Sequence, residues 1–385
     1  MDYFLSEQQK EIKALAKRIA EERILPVRAE LDEKEEFPWD IMKALADSDM
    51  FRIFVPEAYE GLGGGCLDLC LVIEELSRVC SGIALCYAAT SLGTVAIVEF
   101  GSDEQKRKYL PDIAAGKRLT AFALTEATAG SDAGAIKTTA EKVSGGYLLN
   151  GTKQFISNGG DAEIYTVMAL TDKNKGARGA SAIIVEKGTP GFTFGKKEKK
   201  MGIRASSTRE LVFKNCLVPK ENLIGKEGLG FIYTLKVFDH SRPGIGAQAL
   251  GIAQGALETS VDYARNRIQF GHPIFALPVV QNKLAEMAIQ VEAARALTYA
   301  TCRTIDGGAK DYTEASAMTK VFASDVAMKV TVDAVQILGG AGYMRDYPVE
   351  KMMRDAKITQ IYEGTNEVLR ETIALELRKR KGRRD

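Results

Sequence analysis

The chain has 385 residues, enough for several domains or one large layered unit, and its 45% hydrophobic content supplies ample core. With 52 basic and 51 acidic residues the formal charge is +1, so no global field favours nucleic acid or an anionic membrane. The longest apolar stretches, such as 244–257, read as too short and small-residue-rich to cross a bilayer, so no membrane insertion is expected.

The N-terminus, MDYFLSEQQKEIK, lacks a basic segment followed by an apolar one and has no Arg-rich transit character, so the expected location is cytoplasmic. Residues 5–24 repeat Leu5, Ile12, Leu15, Ala16, Ile19 and Ala20 at helical spacing. A second helix is predicted over 39–48, and the Gly-rich run 56–65 is a loop. That run lacks the Lys-Ser/Thr and the preceding strand of a phosphate-binding loop. Residues 67–79 and 83–100 read as two apolar helices, and 103–115 as another.

The pattern changes near Arg118. Short runs rich in β-branched and aromatic residues (120–125, 146–150, 153–156, 164–170, 180–185 and 210–213) alternate with Gly, Asn and Asp, as in an antiparallel β-domain. A second helical block follows at about 230–267, 279–307, 313–338 and 365–379. The expected domains are therefore 1–118 (helical), 119–228 (β) and 229–385 (helical). The basic run 378–385 reads as a dipole-favoured helix end, with a nucleic-acid arm as the alternative.

Six cysteines (66, 70, 80, 86, 216 and 302) lie mostly among apolar neighbours, and the two histidines are not near them in sequence. Buried free thiols are expected, and no metal site. The shortage of histidine also disfavours Ser-His or Cys-His chemistry. What stands out instead is Glu363, an isolated carboxylate between Tyr362 and Gly364 that ends a helix-like stretch. It is a candidate general base; the alternative is a solvated loop glutamate.

Several motifs make the chain recognisable: ALTEATAGSD (123–132), MGIR (201–204), VPKEN (218–222), RIQFG (267–271), the segment 336–355 and IYEGT (361–365). Together, in order and without large insertions, they resemble the acyl-CoA dehydrogenase family. The resemblance implies a multidomain α+β fold: an N-terminal helical domain, a middle antiparallel β-barrel and a C-terminal four-helix bundle. It implies non-covalent FAD, an acyl-CoA substrate, transfer of electrons to an electron-transferring flavoprotein, and a homotetramer. Forming a C=C beside a thioester needs a base for the α proton and a hydride acceptor that no side chain provides, hence the flavin.

By the same resemblance Glu363 is the base, and its backbone N–H helps hold the thioester carbonyl. Some relatives place the base near 239–242, where this chain has no suitable Glu. Leu124, Thr125, Ser131, Phe155 and Ser157 would surround the flavin. Arg267, Gln269, Phe270, Gln336 and Gly340 would reach the FAD of a neighbouring subunit, with Thr365 and Glu367 close by. Ser131, Phe238, Asp239, Arg242, Tyr362 and Gly364 would contact substrate, Arg242 at the adenosine end of CoA.

Three departures stand out. Phe155 replaces a common Trp and Ser157 a common Thr. Pro278 stands where an FAD-binding Gln is frequent, with Gln281 as a substitute. Residues 81–84 lack the Arg of dicarboxylate-specific relatives. Small residues at Ala84, Ala88 and Ala89 lead to the expectation of a broad pocket for a short, branched or alicyclic acyl group; the alternative is that Tyr87 closes an ordinary straight-chain pocket. Competing readings are an acyl-CoA oxidase using O₂, whose members are typically longer, and a non-catalytic flavoprotein that binds nucleic acid through the basic tail.

Overall fold

Helix α1 (Glu7–Ile19) starts where Ser6 and Gln9 form a reciprocal cap: the Ser6 hydroxyl accepts from the Gln9 amide, and the Gln9 side chain accepts from that of Ser6. The computed structural model describes residues 3–380. Residues 381–385 of the basic tail lie outside them.

After α1 the chain makes a π-turn (Ala20–Ile24) and then α2 (Arg28–Lys34) and α3 (Trp39–Asp47). The two apolar helices expected over 67–100 form one element, α4 (Cys66–Phe100), broken at Cys80 with φ −156° and ψ 104°. At the break Arg28 Nη1 donates to the Val79 carbonyl at 3.0 Å. By length and composition α4 could cross a membrane, contrary to the sequence reading, but 78% of its most apolar window is buried inside the protein. Helix α5 (Asp103–Ala114) closes this region, again behind a Ser–Gln cap, Ser102 with Gln105.

The β region has eight strands: β1 (Thr120–Ala123), β2 (Thr139–Val143), β3 (Gly146–Ser157), β4 (Ile164–Leu170), β5 (Ala180–Glu186), β6 (Phe192–Lys197), β7 (Thr208–Pro219) and β8 (Leu223–Ile224). Their order is β6-β7-β3-β2-β4-β5-β8, with β1 beside β4. The expected purely antiparallel pairing is corrected, and no closed barrel is seen among the described residues. The path is open between β6 and β8, and β1 and β2 both pair with β4 in parallel. The expected strands 146–150 and 153–156 are one strand, and the Asn150-Gly151 pair between them is a register shift within β3, where Gly151 adopts φ 146° beside Thr138.

The C-terminal block comprises α6 (Gly230–Asn266), a small hairpin of β9 (Ile268–Gln269) and β10 (His272–Pro273), α7 (Pro278–Asp306), α8 (Thr313–Leu338), α9 (Gly340–Tyr343), α10 (Val349–Thr359) and α11 (Asn366–Arg380). Helices α6, α7, α8 and α10 share one apolar core, and α11 packs on α8 through Leu369, Ala317 and Val321. Helix α4 lies along α6, so a helix of the N-terminal region belongs to the same packing as the C-terminal ones. The α4–α7 contact is also ionic: buried Glu74 accepts from Arg295 Nε at 3.0 Å and from the Tyr299 hydroxyl at 2.6 Å.

Candidate active site

An apolar cavity of about 130 Å³ opens between α4, α6, the sheet and the loop that joins α10 to α11. Leu69, Ile73, Leu85, Ala88, Ala89 and Leu92 of α4 form one wall. Phe122 and Phe238 meet across it with ring centroids 5.6 Å apart. Leu124, Thr125, Phe155 and Ser157 form another wall, and Tyr362 and Glu363 close the site.

Glu363 is held in the left-handed region at φ 53°, followed by Gly364 at φ 99°. Such a conformation is strained for a residue with a Cβ and persists only where the surroundings enforce it. Here they do. Arg242 Nε of α6 donates to the Glu363 carbonyl at 3.2 Å, and Lys320 Nζ of α8 donates to the Gly364 carbonyl at 2.7 Å and to Asn366 Oδ1 at 2.9 Å. Asn366 in turn donates to Ser324 and Asp325, each at 2.8 Å. The Tyr362 hydroxyl donates to Gln248 Oε1, while Gln248 Nε2 donates to the Ser81 hydroxyl at 2.8 Å.

The turn delivers the Glu363 carboxylate into the cavity, where the Ser241 hydroxyl donates to Oε2 at 2.5 Å. Burial pushes the carboxyl up to about 7, against the Ser241 bond and the charges of Arg242 and Lys320, which favour the ionised form. Burial likewise brings Lys320 down to about 7, although Glu363 opposes it. A carboxyl poised near neutrality in an apolar cavity is suited to take or return a proton.

The opposite wall is braced from behind. Lys153 Nζ, fully buried, donates to the Leu124 carbonyl at 2.9 Å and to Glu126 Oε1 at 2.8 Å. Glu126 also accepts from the amides of Lys137 and Thr138 at 2.6 and 3.0 Å. Burial lowers Lys153 to about 8. It acts in the same sense on the neutral form of Glu126, but Lys153 and the amides outweigh it and hold that carboxyl below its usual value. From this braced frame Phe155 projects at φ 60° with 57% of its surface exposed, between the Thr125 and Ser157 positions. An open aromatic face beside hydroxyl side chains fits a flat heteroaromatic ring.

The structure thus gathers Leu124, Thr125, Phe155, Ser157, Phe238, Tyr362 and Glu363 at one cavity, with Gly364 in its turn. Asp239 and Arg242 are tied together beneath it. The Arg242 guanidinium is 7% exposed and bonds Asp239 Oδ1 at 2.6 Å, while Asp239 Oδ2 accepts from Thr313 at 2.7 Å. Arg242 thus holds the base loop through Nε and Asp239 through Nη1, a supporting role that the sequence reading did not anticipate. Thr365 accepts from the Val368 amide at the start of α11, and Glu367 is exposed there.

Ser131, Arg267, Gln269, Phe270, Gln336 and Gly340 are exposed and lie outside the cavity lining. Phe270, at the tip of the β9–β10 hairpin, is 86% exposed. Pro278 occupies the first turn of α7, with Gln281 exposed one turn on. The sequence reading missed Ser241, Lys320 and Gln248, which no local pattern marks. Of the residues expected to shape the acyl pocket, Ala88 and Ala89 line it. Ala84 is core, and Tyr87 turns away, its hydroxyl donating to the Met50 carbonyl at 2.9 Å.

Family models agree with this layout: "Acyl-CoA dehydrogenase, N-terminal domain" matches residues 6–117, "middle domain" 121–216 and "C-terminal domain" 228–377. An acyl-CoA dehydrogenase of Bacillus subtilis is 49% identical over 95% of this chain and 97% of its own length. The chain belongs to the acyl-CoA dehydrogenase family. It is accordingly an FAD flavoprotein and an oxidoreductase acting on CH–CH bonds. The butyryl-CoA dehydrogenase structure from Megasphaera elsdenii superposes with a TM-score of 0.95 at 45% identity, covering 98% of this chain and all (100%) of that one. A chain from structural work on the electron transferring flavoprotein of Acidaminococcus fermentans and flavin-based electron bifurcation gives 0.96 at 48% identity, covering 98% and 99%.

Proposed function

We propose that the protein converts a short acyl-CoA to its 2-enoyl-CoA, with Glu363 as the base, and that its electrons leave to an electron-transferring flavoprotein. The observation that carries this reading is the Glu363 carboxylate, turned into an apolar cavity by a strained left-handed residue and set near neutrality. When bound, FAD supplies the hydride acceptor. Leu124, Thr125, Phe155 and Ser157 would hold its ring.

Glu363 takes the α proton. With Oε2 occupied by the Ser241 hydroxyl, Oε1 is the free acceptor. The Glu363 N–H is assigned to the thioester carbonyl, and the walls of Leu69, Ile73, Phe122 and Phe238 exclude water from the developing charge. A dry apolar cavity of about 150 Å³ holds benzene, so the observed 130 Å³ suits a short acyl group of about four carbons, straight or branched.

The exposed set Arg267, Gln269, Phe270, Gln336 and Gly340 supports a homotetramer in which another subunit covers these residues and completes the FAD site. The similarity to the Acidaminococcus chain supports the flavoprotein acceptor, and a cytoplasmic location, expected from the N-terminal sequence, is part of the same proposal. The domain limits 1–118, 119–228 and 229–385 stand with this proposal.

Glu363→Gln tests the assignment. It should keep FAD and bind butyryl-CoA while turnover with an artificial acceptor falls by roughly 10²–10⁴-fold or more. Turnover within a few-fold of wild type would overturn it. Assaying the wild type with O₂ as sole acceptor separates the oxidase reading.

A further inference from the structure

The sequence reading treats the cysteines as separate buried thiols. The fold instead brings three of them together: the sulfurs of Cys66, Cys70 and Cys302 all lie within 4.8 Å of one another. Cys66 and Cys70 share one face of the first turns of α4, and Cys302 comes from the last turns of α7. All six cysteines are free and buried, yet among the described residues only these three form such a group.

We propose that Cys66, Cys70 and Cys302 form a three-thiolate site for a soft divalent cation such as zinc.

The spacing fits. With metal–sulfur bonds of ~2.3 Å, three thiolates around one ion stand roughly 3.8–4.0 Å apart, so from separations within 4.8 Å each sulfur needs to move inward by at most about 0.6 Å. The helix ends that carry them are already locked. Asp306, one turn after Cys302, accepts from the Cys66 amide at 2.6 Å and from the Leu67 amide at 3.0 Å. A Cβ at Gly65 would meet Asp306 Oδ1 at 2.5 Å, so a larger residue there would displace the Asp306 carboxylate from these amides. Each Asp306 oxygen is thus held by one backbone amide.

The charge also fits. Three thiolates around a divalent ion leave one net negative charge, placed at the N-terminus of α4, where the helix dipole favours it; a monovalent ion would leave two. Binding converts thiols to thiolates and releases their protons to solvent, with no change of oxidation state.

The test uses the FAD-loaded protein, purified under reductant without chelator from zinc-supplemented cells. Metal is measured by mass spectrometry, and cadmium is titrated as a probe with a thiolate charge-transfer absorbance. The expected result is one zinc per chain, a saturating cadmium band and proton release. Cys302→Ser and Cys66→Ser should lose both ions, while Cys216→Ser, on β7, keeps them. Absence of stoichiometric metal and of the cadmium band in the wild type would overturn the proposal. So would undiminished binding in Cys302→Ser, or binding of Cu(I) without Zn(II) or Cd(II). If the serine variants fail to fold, proton release on cadmium binding by the wild type decides alone.

Discussion

The 2.5 Å bond from Ser241 to Glu363 Oε2 has a measurable consequence. It favours the ionised carboxylate, so Ser241→Ala should make Glu363 harder to deprotonate. A hydrogen bond to a charged group contributes about 1.5–3 kcal/mol. The lower end of that range is equivalent to about one pH unit. The rising limb of kcat/KM, expected near pH 7 in the wild type, should move to about pH 8. Near pH 7 the ionised fraction then falls from about half to about a tenth, a roughly fivefold loss, and the two enzymes converge by about pH 9. The assay is kcat/KM for butyryl-CoA across pH with an artificial electron acceptor. A loss independent of pH, or a limb that moves to lower pH, would refute the reasoning.

The cavity predicts that butyryl- and isobutyryl-CoA outperform octanoyl-CoA, each methylene without room costing about 1–3 kcal/mol in kcat/KM; an octanoyl optimum would rule this out. Glu126→Gln should destabilise the protein by about 3–5 kcal/mol in chemical unfolding, because Lys153 is left buried without its partner. Adding Lys153→Met should restore most of that loss, and a near-neutral single variant would contradict the bracing role. Arg267→Ala should reduce FAD retention and oligomer size together. Light scattering that shows a monomer with bound FAD would count against a site completed by another subunit.

The helix, sheet, helix order was legible because apolar residues repeat at 3.6 in the outer blocks and fall in short β-branched runs in the middle. Glu363 was legible because a carboxylate between Tyr and Gly at a helix break is locally conspicuous. Strands β2 and β6 escaped notice since TAEKV and FTFGKK are half polar and carry lysines toward solvent. Asn150-Gly151 reads as a turn and is a kink within β3, because partners on both sides keep the strand paired through it. Ser241 lies 122 residues from its carboxylate partner, so nothing local marks it. Lys320, amid apolar residues of α8, looks like a solvated face and is instead buried under the base turn. The cysteine cluster depends on α7 returning to the start of α4, a contact of more than two hundred residues in sequence, as the Asp306 bond to Cys66 shows.

The two halves of the active site have separate structural origins. Helix α4 alone supplies Leu69, Ile73, Leu85, Ala88, Ala89 and Leu92, whereas the base turn is held from α6 and α8 by Arg242 and Lys320. Which acyl groups are admitted and how the proton is handled can therefore vary independently in a lineage. Substitutions at Ala88 or Ala89 can retune chain length while Glu363 keeps its turn, its hydroxyl partner and its proton affinity. An engineer seeking a new substrate would begin on that one helix and leave the carboxylate's supports untouched.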